Sequence, residues 1–225
     1  MDEDTANIIL SQLDQALYAS LYSPDTDIND YNFMQKSLLS ISNSPPEVLP
    51  ETTDNLLHSE FEKWAEDNPD GIALEFLEDT KTISKLSYRA FNEAANRIAH
   101  QLLEYGVKRD EAIPICLEKC PQFYICILAI LKSGCSFTPI DPSTPPQRIA
   151  FMLKELNARF AVTDSACEKV LSEVNGVKFV ILDSLDLNSL PVVNPRVNDL
   201  SSTNLAYRLY TSGTESVTIY SGIAY

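Results

Sequence analysis

Basic residues are scarce in this chain: 17 Lys and Arg stand against 32 Asp and Glu, for a net charge of −15. So acidic a surface argues against nucleic acid and against an anionic membrane as partner, and serves mainly solubility. The imbalance is uneven, since residues 1–57 hold ten acids against Lys36 alone. Long apolar runs are also missing. The best stretch, Tyr124 to Leu131, is too short to cross a bilayer. The opening Met1-Asp2-Glu3-Asp4 lacks the basic region and apolar run of a secretory signal, so a soluble, cytoplasmic protein is expected. Histidine occurs only at His58 and His100, and the five cysteines (Cys116, Cys120, Cys126, Cys135, Cys167) contain no Cys-x-x-Cys pair. Neither zinc binding nor dithiol redox chemistry is therefore expected, and the thiols read as small buried hydrophobes of a reducing compartment.

What is present falls into three parts. Residues 1–53 are acidic and rich in Ser, Asn and Pro, a linker composition that predicts a mostly disordered leader. Within it, Ile9, Leu13, Leu17 and Leu21 recur every four residues and predict an amphipathic helix over 6–22. That helix is either a docking element or one that frays. Residues 54–217 carry the pattern of a folded domain, and 218–225 depart from it.

The domain opens with a helical stretch from Leu56, stopped by Asn68-Pro69-Asp70-Gly71, then a hairpin of Ile72 to Leu77 and Thr82 to Leu86. Tyr88 to Tyr105 reads as a helix capped by Ser87 and closed by Gly106, with Phe91, Ala95, Ile98, Ala99 and Leu102 on one stripe. Strands and helices then alternate. Strands are expected at Ala112 to Leu117, Ser136 to Ile140, Phe160 to Thr163 and Val177 to Leu182. Helices are expected at Gln122 to Lys132, Pro146 to Leu156 and Ser165 to Glu173. Short, uniformly apolar strands separated by helices predict a doubly wound α/β core, a mainly parallel sheet covered on both faces. Asp183 to Thr203 reads as a long surface connection. Gly134 is expected to close its helix in a left-handed conformation, Asp141 to make a turn, and Lys132 to face a helix dipole.

The apolar run Leu205, Ala206, Tyr207, Leu209, Tyr210 feeds directly into Thr211-Ser212-Gly213-Thr214. Hydroxyls and backbone N–H groups of such a segment can ring a polyphosphate, although a solvated turn is the commoner outcome. No lysine or arginine follows Arg208.

Three segments in order carry a family resemblance: Leu86-Ser87-Tyr88-Arg89-Ala90-Phe91, then Leu131-Lys132-Ser133-Gly134 through Phe137-Thr138-Pro139-Ile140-Asp141-Pro142, then Leu209-Tyr210-Thr211-Ser212-Gly213-Thr214. Their order and spacing resemble the first core motifs of amino-acid adenylation domains of nonribosomal peptide synthetases, within the adenylate-forming AMP-dependent synthetase/ligase superfamily. The wording looks most like fungal synthetases that make hydroxamate siderophores. The resemblance implies ATP-dependent activation of an amino acid as aminoacyl-AMP for transfer to a carrier thiol, with ATP and Mg2+ as cofactors. Carrier domains or other synthetase modules would be the partners. It implies that Thr211, Ser212, Gly213 and Thr214 grip the β- and γ-phosphates, and it assigns no catalytic or metal-binding residue to this stretch. The family's loop continues to a second glycine and a Pro-Lys-Gly. Here Glu215-Ser216 and Thr218-Ile219 stand instead, as expected of a frameshift, an unspliced intron or a truncated reading frame. The chain reads as the first third of the enzyme, inactive alone. The alternative is a non-catalytic module that docks on a synthetase or carrier domain.

Overall fold

The computed structural model describes residues 3–22, 56–78, 82–171, 174–210 and 217–220. The chain divides into two units, Met1–Glu51 and Thr52–Tyr225. In the first, α1 (Glu3–Tyr22) is a single helix. It leaves Leu10, Leu13, Leu17 and Leu21 more than half exposed.

In the second unit α2 (Ser59–Asp67) precedes an antiparallel hairpin of β1 (Ile72–Leu77) and β2 (Ile83–Ser87). The long helix α3 (Tyr88–Glu104) follows without a break, because the Ser87 hydroxyl accepts a hydrogen bond from the Ala90 N–H and satisfies one of its orphan donors. At its other end Gly106 takes a φ of 77°, a conformation that costs other residues a steric penalty. Then come β3 (Ala112–Cys116), α4 (Pro121–Lys132), β4 (Ser136–Ile140), α5 (Pro146–Glu155), β5 (Phe160–Thr163), the short α6 (Ser165–Glu168), β6 (Lys178–Ile181), β7 (Tyr207–Tyr210) and β8 (Val217–Tyr220).

The large sheet has the order β6-β5-β3-β4-β7-β8. Its first five strands run parallel, and β8 is antiparallel to β7. Helices cover both faces. Ile113, Ile115, Phe160 and Val162 point toward α3 and α4, in one core with Ala95, Leu102, Ala129 and Ile130. Ala112, Cys116 and Ala161 point the other way, against Ile149, Met152 and Leu153 of α5. Period-two alternation thus feeds two cores from one buried strand. Pro114 has no N–H to give, and it lies where β3 has not yet met β5, whose first register pair is Ile115 with Val162.

The doubly wound core expected from the strand–helix alternation is present. Two local expectations are corrected. The helix expected over Ser165 to Glu173 shrinks to four residues, followed by a 3-10 turn at Lys169–Leu171. Leu171 is buried against α5 in that tighter turn, and the Val174 N–H bonds to its carbonyl. The stretch Asp183 to Thr203 is the long surface connection expected, with 3-10 turns and no buried residue, and it is pinned to the body. Val192 and Asn194 are stitched to α3 and α4: Asn96 Nδ2 donates to the Val192 carbonyl at 2.6 Å and to Asn194 Oδ1 at 2.9 Å. Polar composition conceals this, because the anchor is itself an asparagine.

Lys132 is the second correction. Its side chain is fully buried, forming an ion pair with Glu62 of α2 at 2.5 Å and donating to Asn194 Oδ1 at 3.0 Å. Burial pushes the ammonium below its ordinary pKa, while the Glu62 carboxylate pulls it back up. The residue joins α2, α4 and the 192–194 strap rather than facing a helix dipole.

Gly134 has a φ of 76°, and an added Cβ there would lie 3.1 Å from Leu200 and 3.2 Å from Val197. Gly134→Ala should cost about 1–3 kcal/mol through the left-handed backbone and the crowding together. Urea unfolding monitored by circular dichroism checks it, and an unchanged midpoint would show that the strap simply moves away.

Candidate active site

Two of the parallel strands, β4 and β5, lead directly into an aspartate at the carboxyl end. After β4, the Asp141 carboxylate accepts from the Ser143 N–H at 2.8 Å and its carbonyl from the Thr144 N–H at 3.0 Å, so this residue builds the expected turn. Hydrogen bonding from the Ser143 side chain, then from its backbone N–H, holds the Asp141 carboxyl below the ordinary range. After β5, Asp164 caps α6 by accepting from the Cys167 N–H. β7 delivers Thr211, and with it the candidate residues Thr211, Ser212, Gly213 and Thr214, which lie outside the described residues.

The root of that segment is well defined. Tyr210 places its hydroxyl 3.2 Å from the Met152 carbonyl and 3.1 Å from Glu155 Oε2, both on α5. Burial first, then the Glu155 charge, hold its phenol above the ordinary tyrosine range. At the entry to β7, Asp110 accepts from the Leu205 N–H at 2.7 Å and from Asn204 Nδ2 at 2.8 Å. Its own carbonyl accepts from Arg208 at 3.1 Å. Sequence reasoning misses Tyr210, Glu155 and Asp110 as a set, since their partners are 55 to 98 residues away. The available signal is Asp110 itself, in a Lys-Arg-Asp turn where an Asp tolerates its φ of 62°.

A separate cavity of about 410 Å³ lies beyond the ends of β3, β5 and β6, lined among others by Ile98, Leu117, Leu182, Asp164 and Asp183. Ligands of doubly wound sheets gather at such strand ends. Two carboxylates and an apolar wall make it a poor host for a polyphosphate.

The cysteines are all free thiols, four buried and Cys120 half-buried. Burial raises Cys116 and Cys135 to about 12 each. A thiol-labelling time course in native buffer should therefore modify Cys120 first and spare the other four until the protein unfolds. Early modification of Cys126, fully buried in the core, would contradict the packing.

Comparison with known proteins matches this arrangement. The chain is 43% identical over 189 residues to the nonribosomal peptide synthetase Ao415 of Arthrobotrys oligospora, covering 81% of this chain and 5% of that protein. It is 35% identical over 219 residues to nonribosomal peptide synthetase 2 of Cochliobolus heterostrophus, covering 96% of this chain and 4% of that one. The chain thus spans about a twentieth of the length of these relatives. Among solved structures, the AMPPNP-bound form of the nonribosomal peptide synthetase FmoA3 superposes with a TM-score of 0.71 at 21% identity, over 99% of this chain and 24% of that one. The sequence pattern of the AMP-binding enzymes covers residues 61–217, so the chain belongs to that family.

Proposed function

We propose that this chain is the N-terminal part of an amino-acid adenylation domain of a nonribosomal peptide synthetase. One observation carries the reading. β7, an integral strand of the parallel sheet, runs directly into Thr211-Ser212-Gly213-Thr214, and the family match extends through that segment to residue 217. In this role a substrate carboxylate attacks the α-phosphate of ATP, pyrophosphate leaves, and a carrier thiol then displaces AMP from the aminoacyl adenylate. Such chemistry depends on alignment and on stabilising phosphate charge more than on a protein nucleophile.

By their chemistry, Thr211, Ser212, Gly213 and Thr214 fit a β- or γ-phosphate: three hydroxyls, backbone N–H groups and a glycine that permits close approach. Magnesium, the cation implied for the parent family, is usually carried by the substrate phosphates with one or two carboxylates. Among the described residues no group of three or more His, Cys, Asp or Glu is placed to hold a metal ion, and no step is assigned to one. Assembly of hydroxamate siderophores is supported by the sequence of residues 84–88, 115–134 and 137–156. No helix among the described residues is long and apolar enough to cross a membrane. A cytoplasmic location belongs to the proposal, since ATP and the other synthetase modules are found there.

The test is amino-acid-dependent exchange of pyrophosphate into ATP, run on this chain and on the longest protein translated from its transcript. The reading requires exchange from the longer protein and none from residues 1–225 alone. A transcript that stops after Tyr225, or a folded longer protein with no exchange for any amino acid, overturns it in favour of a non-catalytic docking module.

A further inference from the structure

β7 is held in the sheet by very little ladder. Its pairing with β4 has one register pair, Phe137 with Tyr207, where β3 and β4 share five. The accompanying backbone bond is Phe137 N–H to the Ala206 carbonyl at 3.1 Å. β8 pairs with β7 over four positions but with no other strand, so it adds nothing to how β7 sits on the body. A strand so weakly laddered needs side chains to set its position. Side chains provide it at both ends, beside the Arg208 bond to the Asp110 carbonyl and the Phe137–Tyr207 ring contact. Asp110 grips the entry through Asn204 and Leu205, and Tyr210 grips the exit through α5.

We propose that Tyr210 is a positioning residue: its hydroxyl, tethered to Met152 and Glu155, fixes the residue from which the phosphate-gripping segment Thr211–Thr214 departs. The inference rests on the functional reading above for what the segment does, but not for the tether. One O–H faces two acceptors, the Met152 carbonyl and the Glu155 carboxylate, so its proton is shared between them. The exit of β7 is therefore referenced to the helix that follows β4, and not to the ladder.

Hydrogen exchange of the full chain tests the tether. Tyr210→Phe keeps the ring and removes the hydroxyl. Exchange of the Leu209 and Tyr210 amides should speed up about two- to tenfold, the scale of one net hydrogen bond, while the amides of β3 stay unchanged. Glu155→Gln retains an acceptor and should restore most of the protection that Glu155→Ala loses. Equal exchange in wild type and Tyr210→Phe overturns the tether, and so does acceleration spread equally over β3. In the longer protein, Tyr210→Phe should raise KM for ATP several-fold more than it lowers kcat. An unchanged KM beside active wild type overturns the positioning role. Absent wild-type exchange of pyrophosphate sinks the functional reading alone, since the amide measurement still decides the tether.

Discussion

Glu62→Ala is expected to destabilise the folded domain by about 3 kcal/mol, while Lys132→Met costs far less. The asymmetry follows from what each change leaves behind. Removing Glu62 strands an ammonium whose side chain is wholly buried, with only Asn194 Oδ1 at 3.0 Å to receive it. Removing Lys132 leaves Glu62, which retains 22% of its side-chain exposure and can turn toward water. Methionine also fills the volume of the lysine stem. Chemical unfolding of the two variants measures the difference, and equal losses would mean that Glu62 is desolvated as fully as its partner.

The same residue gives a pH signature. Burial lowers the folded pKa of Lys132 below its ordinary value, so in the window between the two the unfolded state holds the proton that the folded state has released. Stability contributed at this site therefore rises with pH through that alkaline window. The buried thiols act oppositely. Cys116 and Cys135, raised to about 12, keep their protons when folded after the unfolded chain has lost them, and stability falls as pH climbs above the ordinary thiol range. Comparing wild type with Lys132→Met cancels the thiols. The stability of the wild type relative to the variant should rise with pH through that window, and a difference that falls instead would refute the burial argument.

Legibility in the sequence tracks how local each signal is. Ser136 to Ile140 and Phe160 to Thr163 are legible to the residue, because Gly134 and Asp141 flank the first and Arg159 and Asp164 bound the second, even though Ser136 and Thr138 are buried polar residues of the first. The stripe Phe91, Ala95, Ile98, Ala99, Leu102 is buried as its period demands. Lys132 reads as a dipole partner because it is charged and ends a helix, and charge alone does not disclose a partner 62 residues away. Asp183 to Thr203 is legible as a surface connection, but not the points at which it is pinned. Asn92 and Asn96 on α3 both donate to Asn194, a pairing that only the fold creates. The candidate phosphate segment is visible as composition, whereas its anchors Tyr210 and Asp110 are not.

Asp110→Ala is the second large effect, about 3 kcal/mol, assembled from two sources. The carboxylate's bonds to the Leu205 N–H and to Asn204 Nδ2 disappear, at roughly 1–2 kcal/mol each for charged acceptors. Alanine must also hold the φ of 62° that aspartate tolerates, adding on the order of 1 kcal/mol. Asp110→Asn separates the two, since asparagine accepts the left-handed backbone and one of the hydrogen bonds, and about half the loss should return. Where the damage falls matters more than its size. β3 and β4 keep their five register pairs, so the core stays intact and the loss concentrates on β7. Brief proteolysis should then cut the variant between residues 201 and 216 while the fragment up to β6 survives. Uniform digestion would show instead that β7 is required for the whole sheet to form. Selective release would mean that the strand leading into Thr211–Thr214 is a separately anchored element, moored by side chains at both ends to a core that folds without it.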